Sequence, residues 1–176
     1  MLVIADLDDT LIEGYVQPRQ PFARVAVMQG RVELLARLRA EGHTIGLATN
    51  QGGVAFGYSS EAEVEAKLAC ALVALGLPSD TFVAVCYADP RSPNPRYQTG
   101  HERRKPSGAM LREAMVAHPA AAAAGVVYVG DRNEDAAAAA DAGVPFAWAD
   151  AFFHEEVEAW HSQPRTRPAA PGSAKR

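Results

Sequence analysis

Only two cysteines occur in the 176 residues, too few for a disulfide framework, so Cys70 on a predicted helix and Cys86 at a predicted strand end read as buried thiols in a reducing compartment. No apolar run is long enough to span a membrane, and no signal peptide is expected. The first residues enter an apolar strand at once, and the cytoplasm is the expected location. Excess positive charge is also missing. The segment from Ser162 to Arg176 holds four cations (Arg165, Arg167, Lys175 and Arg176), no acid, and much Pro, Ala and Ser, which predicts a disordered tail at 162–176 after a domain at 1–161. With those four cations set aside, 13 basic residues face 21 acids, a body near −8 that argues against broad nucleic-acid binding.

What the chain does have is one good core. At 48% hydrophobic and 22% charged it has an ordinary globular balance. Apolar runs and helical periodicity alternate along it. Helix is expected at 30–41, strand at 44–49, helix at 60–75 and strand at 81–87. A helix then follows Ser107, a strand covers 126–130, an Ala-rich helix ends at Gly143, and a short strand lies at 144–148. This order predicts an α/β fold with a parallel sheet and helices on both faces.

Four segments carry polar residues to the ends of these elements. Asp6-Leu7-Asp8-Asp9-Thr10 follows the apolar run Leu2-Val3-Ile4-Ala5 and puts three carboxylates in one loop. Two like charges ~4 Å apart repel by about 4 kcal/mol at an effective dielectric near 20, so such a cluster implies a cation or a shifted pKa. Read alone, the segment would be a turn capping a helix from Leu11. Thr49-Asn50-Gln51-Gly52-Gly53 ends a strand with a hydroxyl, an amide and a glycine turn. Such an end can hold a phosphate or can be only a turn. In Arg103-Arg104-Lys105-Pro106-Ser107 a lysine precedes a helix that Ser107 could cap; there it can neutralise a phosphoryl oxygen, or belong to a solvated basic run. Val126 to Gly130 leads into Asp131, placed like Asp6 at a strand's carboxyl end. Four such ends can converge on one crevice.

In this order the segments make the chain resemble the haloacid dehalogenase superfamily of phosphohydrolases, whose four motifs stand here as DLDDT, ATNQ, RRKP and VGDRNED across residues 2 to about 150. TNQGG and RKP followed by SGAM are similar to patterns of the capless branch that contains histidinol-phosphatases, heptose-bisphosphate phosphatases and polynucleotide 3'-phosphatases. The resemblance implies a Rossmann-like three-layer sandwich around a central parallel sheet, without a large cap. It implies Asp6 as nucleophile forming an aspartyl-phosphate, and Asp8 as general acid and base. Thr49, Asn50 and Lys105 would hold the phosphoryl group. Mg²⁺ would be bound by the Asp6 carboxylate, the Asp8 main-chain carbonyl and Asp131, with Asp135 supporting the site by orienting Lys105 or a metal-bound water. Arg104, beside the lysine, is the residue expected to contact substrate.

The chain also departs from that branch. Its sugar and histidinol phosphatases often carry a zinc loop of three Cys and a His before RKP. Here the interval from Cys86 to Lys105 holds only Cys86 and His101, short of the four ligands that zinc wants. An Arg near the end of the TNQ loop is replaced by Phe56. About 39 residues separate the first two motifs and about 55 the next two, which leaves no room for a lid domain. The loop from Ala88 to Arg104 is expected to discriminate substrates, and the one from Glu13 to Arg24, with Tyr15, Arg19 and Phe22, to form a flap. The leading expectation is a phosphomonoesterase for a small phosphorylated metabolite. A polynucleotide 3'-phosphatase is the alternative for an open site. A noncatalytic phosphoacceptor module is the third, disfavoured because the DxD pair lies on the first strand.

Overall fold

The computed structural model describes residues 1–14 and 25–154. The proposed tail, the 161 boundary and most of the expected flap at 13–24 lie outside them. Five strands, β1 (Leu2–Ala5), β2 (Thr44–Asn50), β3 (Phe82–Cys86), β4 (Val126–Gly130) and β5 (Phe146–Trp148), form one sheet in the order β3-β2-β1-β4-β5, and every pairing is parallel. β1 is central. After it the chain builds first one half of the sheet and then the other, so a crevice opens where the order reverses, at the strands' carboxyl ends.

Alternation along β1 explains the three layers. Val3 and Ala5 face a core shared with α1 (Arg31–Ala40), α2 (Glu61–Ala74) and Phe152, whereas Leu2 and Ile4 face a second core. That second core holds Met110, Leu111 and Ala114 of α3 (Ala109–Ala117) and Ala138 and Ala139 of α5 (Asn133–Ala142). Strands buried on both faces read as continuous apolar runs, as LVIA does here. Each large aliphatic side chain so buried contributes roughly 1.5–3 kcal/mol.

Element ends follow local chemistry. Ser60 caps α2 with a reciprocal box: its hydroxyl accepts from the Glu63 N–H at 3.2 Å while the Glu63 carboxylate accepts from the Ser60 N–H at 2.7 Å. Gly143 ends α5 in the left-handed conformation, φ 70°. Gly108 occupies the cap position of α3, one residue after the expected Ser107, whose hydroxyl still accepts from the Ala109 N–H at 3.2 Å. A Cβ at Gly108 would lie 2.6 Å from the Ala142 nitrogen and 2.7 Å from the Ala138 oxygen, so the close passage of α3 over α5 selects glycine there. Pro119–Ala123 forms a separate short helix, α4, and α6 (Ala149–His154), which the sequence reading did not anticipate, packs Phe152 under the sheet.

Candidate active site

The four polar segments do meet. Asp6, Asp8, Thr49, Asn50, Gln51, Gly52, Gly53, Lys67, Lys105 and Arg132 are among the residues lining one pocket of about 500 Å³ at the carboxyl ends of β1 and β2.

Lys105 is its electrostatic centre. The buried Nζ donates to Asp6 Oδ1 and to Asp135 Oδ1, both at 2.6 Å, and to the Tyr128 hydroxyl at 3.0 Å. Tyr128 in turn donates to Asp135 at 2.8 Å. Burial pushes the Asp6 carboxyl up to about 6, against the pull of Lys105 and with the push of Asp135. Burial works against the Lys105 charge, yet the two carboxylates outweigh it and raise its pKa. Asp135 thus holds Lys105 through one oxygen, and its other oxygen caps α5 by accepting from the Arg132 N–H at 3.0 Å. Gly130 makes room for this: a Cβ there would stand 2.5 Å from that of Asp135.

Asn50 is committed to the lysine's backbone. Its amide donates to the Lys105 carbonyl at 3.1 Å and its oxygen accepts from the Lys105 N–H at 3.0 Å, so the side chain pins the RKP segment to the end of β2. Thr49 accepts from Gln51 Nε2 at 2.8 Å, which leaves its hydroxyl hydrogen to donate into the pocket. Asp131 accepts from the buried Thr10 hydroxyl at 3.2 Å, and burial, with Asp135 nearby, raises its pKa. Arg31 of α1 fixes the DLDDT loop by donating to the Thr10 carbonyl at 3.0 Å.

Carboxylate oxygens of Asp6, Asp131 and Asp135 lie within 4.8 Å of one another. An all-oxygen set in which the Asp6 and Asp131 carboxyls are lifted by burial and by repulsion from Asp135 fits a hard divalent cation, which would relieve both.

Several expectations need correction. Arg103 is partly exposed and also tied down: it holds Glu113 through two 2.7 Å bonds and the Val85 carbonyl at 3.1 Å. Arg96 pairs with Glu61 at 3.0 Å and Arg91 with buried Asp89 at 2.9 Å; the Arg91 bonds hold the Asp89 carboxyl well below the usual range. Arg104 lies behind the Gly52 turn, 3.5 Å from Asp89, with a buried Nη1 that has no hydrogen-bond partner among the described residues. The loop 88–104 does not line the pocket. It is folded onto the turn after β2, with the Ser92 hydroxyl donating to the Ala55 carbonyl at 2.6 Å and Tyr97 to Glu61 at 2.8 Å. Cys86 is buried as expected, whereas Cys70 is only half-buried.

Lys67 is a pocket residue that the sequence did not single out. Its Nζ lies 2.5 Å from Asp8 Oδ1, and like Lys105 it lines the pocket. One signal existed: Val64, Lys67, Leu68 and Ala71 share a helical face, so the lysine stands on the apolar stripe of α2.

Residues 1–166 match the family model described as polynucleotide kinase 3 phosphatase. The chain belongs to that family. A D-glycero-beta-D-manno-heptose-1,7-bisphosphate 7-phosphatase of Pseudomonas putida is 33% identical over 143 residues, which cover 78% of this chain and 75% of the relative. Among solved structures, a D,D-heptose 1.7-bisphosphate phosphatase from B. bronchiseptica, complexed with magnesium and phosphate, superimposes with TM-score 0.66 at 30% identity, covering 82% of this chain and 78% of that one. A Mesorhizobium loti structure assigned to the HAD-like phosphatases gives TM-score 0.69 at 26% identity, covering 81% and 68%. The chain is thus a phosphatase of the haloacid dehalogenase superfamily, with the Rossmann-like α/β fold of that group.

Proposed function

We propose that this phosphatase hydrolyses a phosphomonoester of a small sugar through an aspartyl-phosphate on Asp6, with Mg²⁺ as cofactor. The observation that carries the reading is the nucleophile's setting: a buried carboxylate at the end of the central strand, with one oxygen fixed by Lys105, in the pocket that also holds Thr49 and Asp8. Asp6 Oδ would attack phosphorus as the bond to the leaving oxygen breaks, and Asp8 would give that oxygen a proton. In the second step Asp8 would take a proton from the water that displaces phosphate from Asp6. Lys105 and the Thr49 hydroxyl would bind phosphoryl oxygens, and Asn50 would keep Lys105 in place. Asp6 and Asp131 would hold the Mg²⁺, assisted by the Asp8 carbonyl; when bound, it supplies positive charge beside the phosphoryl oxygens.

The sugar assignment rests on the heptose-bisphosphate relatives. The family's name favours a second reading, a 3'-phosphorylated polynucleotide. Against it, the pocket lining offers no spare cation surface: Asp6, Asp8, Asp9 and Glu134 outnumber Lys67, Lys105 and Arg132, and Arg132 is paired with Asp9 at 3.1 Å. Purified protein with Mg²⁺ should release phosphate from sugar phosphates and sugar bisphosphates in preference to other phosphorylated metabolites and a 3'-phosphorylated oligonucleotide. Chelator or Asp6→Asn should abolish it. Release from the oligonucleotide alone would transfer the site to the second reading, and no release from any substrate in folded protein would refute both.

A further inference from the structure

α2 carries a cation where its packing calls for an apolar side chain. Lys67 lies one turn beyond Val64 and one before Ala71, on the face that enters the core, and is itself buried. Ordering a long charged side chain there costs rotamer freedom, so something must hold it. What holds it is one carboxylate. Lys67 Nζ is 2.5 Å from Asp8 Oδ1, and Gln51 Nε2 donates to Asp8 Oδ2 at 2.7 Å. The amide is in turn fixed at both ends, its nitrogen on Thr49 Oγ1 at 2.8 Å and its oxygen 3.5 Å from Lys67. Both oxygens of Asp8 are therefore engaged by separate donors. The turn after β2 contributes no cation to this task, since it reads Gly52-Gly53-Val54-Ala55-Phe56-Gly57 and Phe56 stacks on Tyr58.

We propose that Lys67 is a positioning residue for Asp8: with Gln51 it sets the direction in which that carboxyl exchanges a proton with the leaving oxygen and with water. The inference rests on the acid-base reading of Asp8 given above. A side chain displaced by ~1 Å from its productive position loses much of its catalytic effect, and a positioned general acid is worth roughly 10²- to 10⁴-fold.

The test compares two leaving groups at saturating Mg²⁺. A nitrophenolate departs without a proton, whereas a sugar or glycerol alkoxide needs one as it leaves. Lys67→Met should keep KM within about threefold on both and lose at least about tenfold more kcat on the alkyl phosphate than on nitrophenyl phosphate. Lys67→Arg should recover part of the difference. Equal losses on the two substrates, or none, in a Lys67→Met protein with a cooperative thermal transition would overturn the proposal. If Lys67→Met does not fold, Lys67→Gln, which keeps a donor at the tip, is read by the same ratio. Separately, wild-type protein without activity, or an Asp8→Asn variant as active as wild type, would remove the parent reading of Asp8 and the role of Lys67 with it.

Discussion

Two buried lysines line the same pocket, and they are held differently. Lys105 stands between two carboxylates, Asp6 and Asp135, with the Tyr128 hydroxyl as a third partner, and all of these groups are almost fully buried. Lys67 serves one carboxylate, Asp8, whose side chain is 22% exposed. The first arrangement is a fixed charge template, short of one positive charge, that a cation can complete. The second pairs one cation with a more exposed carboxylate, the group proposed to exchange a proton. Asp6, the proposed nucleophile, and Asp8 two residues on thus receive separate counter-charges although they share one loop.

Removing Lys105 should have the largest effect. Lys105→Met leaves the buried Asp6 and Asp135 carboxylates without their shared cation, and losing one partner of a buried pair costs about 3–5 kcal/mol. Phosphate release should fall by about 10³-fold or more, with a lowered thermal midpoint. A loss no greater than that of Lys67→Met would break the contrast between the lysines.

Next in size is the pH response of Asp6. Its carboxyl is raised from 3.8 to about 6, so the folded protein binds that proton more tightly than the unfolded chain does. The contribution is full below about pH 4 and is lost as pH rises to about 6, at most about 3 kcal/mol by linkage. Carbon-13 NMR of the Asp6 carboxyl should show a midpoint near 6 in chelator and a lower one with Mg²⁺. A midpoint near the ordinary value without Mg²⁺ would show that Lys105 outweighs burial.

Tyr128→Phe should be milder, because it removes one hydroxyl from the Lys105 side and nothing from the Lys67 side. Urea denaturation should register a loss of about 1–2 kcal/mol. Smallest of all, Gly52→Ala puts a Cβ 2.8 Å from Arg104 Nη1, the far end of a flexible side chain that can shift. Activity should stay within a few-fold of wild type, and a collapse would mean that Arg104 is locked against this turn for a purpose.

The fold was legible because β1, β2 and β4 are apolar runs that stop on polar residues, and Asp6, Thr49 and Asp131 could be placed at those stops from sequence alone. Lys105 was legible by its motif and its place before a helix. Lys67 was not, because a lysine within Glu-, Ala- and Lys-containing helix reads as solvated until the packed face is known. Asn50 and Arg103 were visible as residues but not as struts, since their partners, the Lys105 backbone and Glu113, lie 55 and 10 positions away. Loop 88–104 looked free because its anchors, Ala55 and Glu61, belong to another segment.

The central claim is that Asp6 takes the phosphoryl group and Asp8 lets it go. Asp8→Asn protein, mixed with Mg²⁺ and nitrophenyl phosphate and quenched in acid, tests this by peptide mass spectrometry. The account predicts one added phosphoryl mass on the peptide that contains Asp6, absent when Asp6 is also changed to Asn. No modified peptide despite released nitrophenol, or the phosphoryl group on another residue, would contradict it.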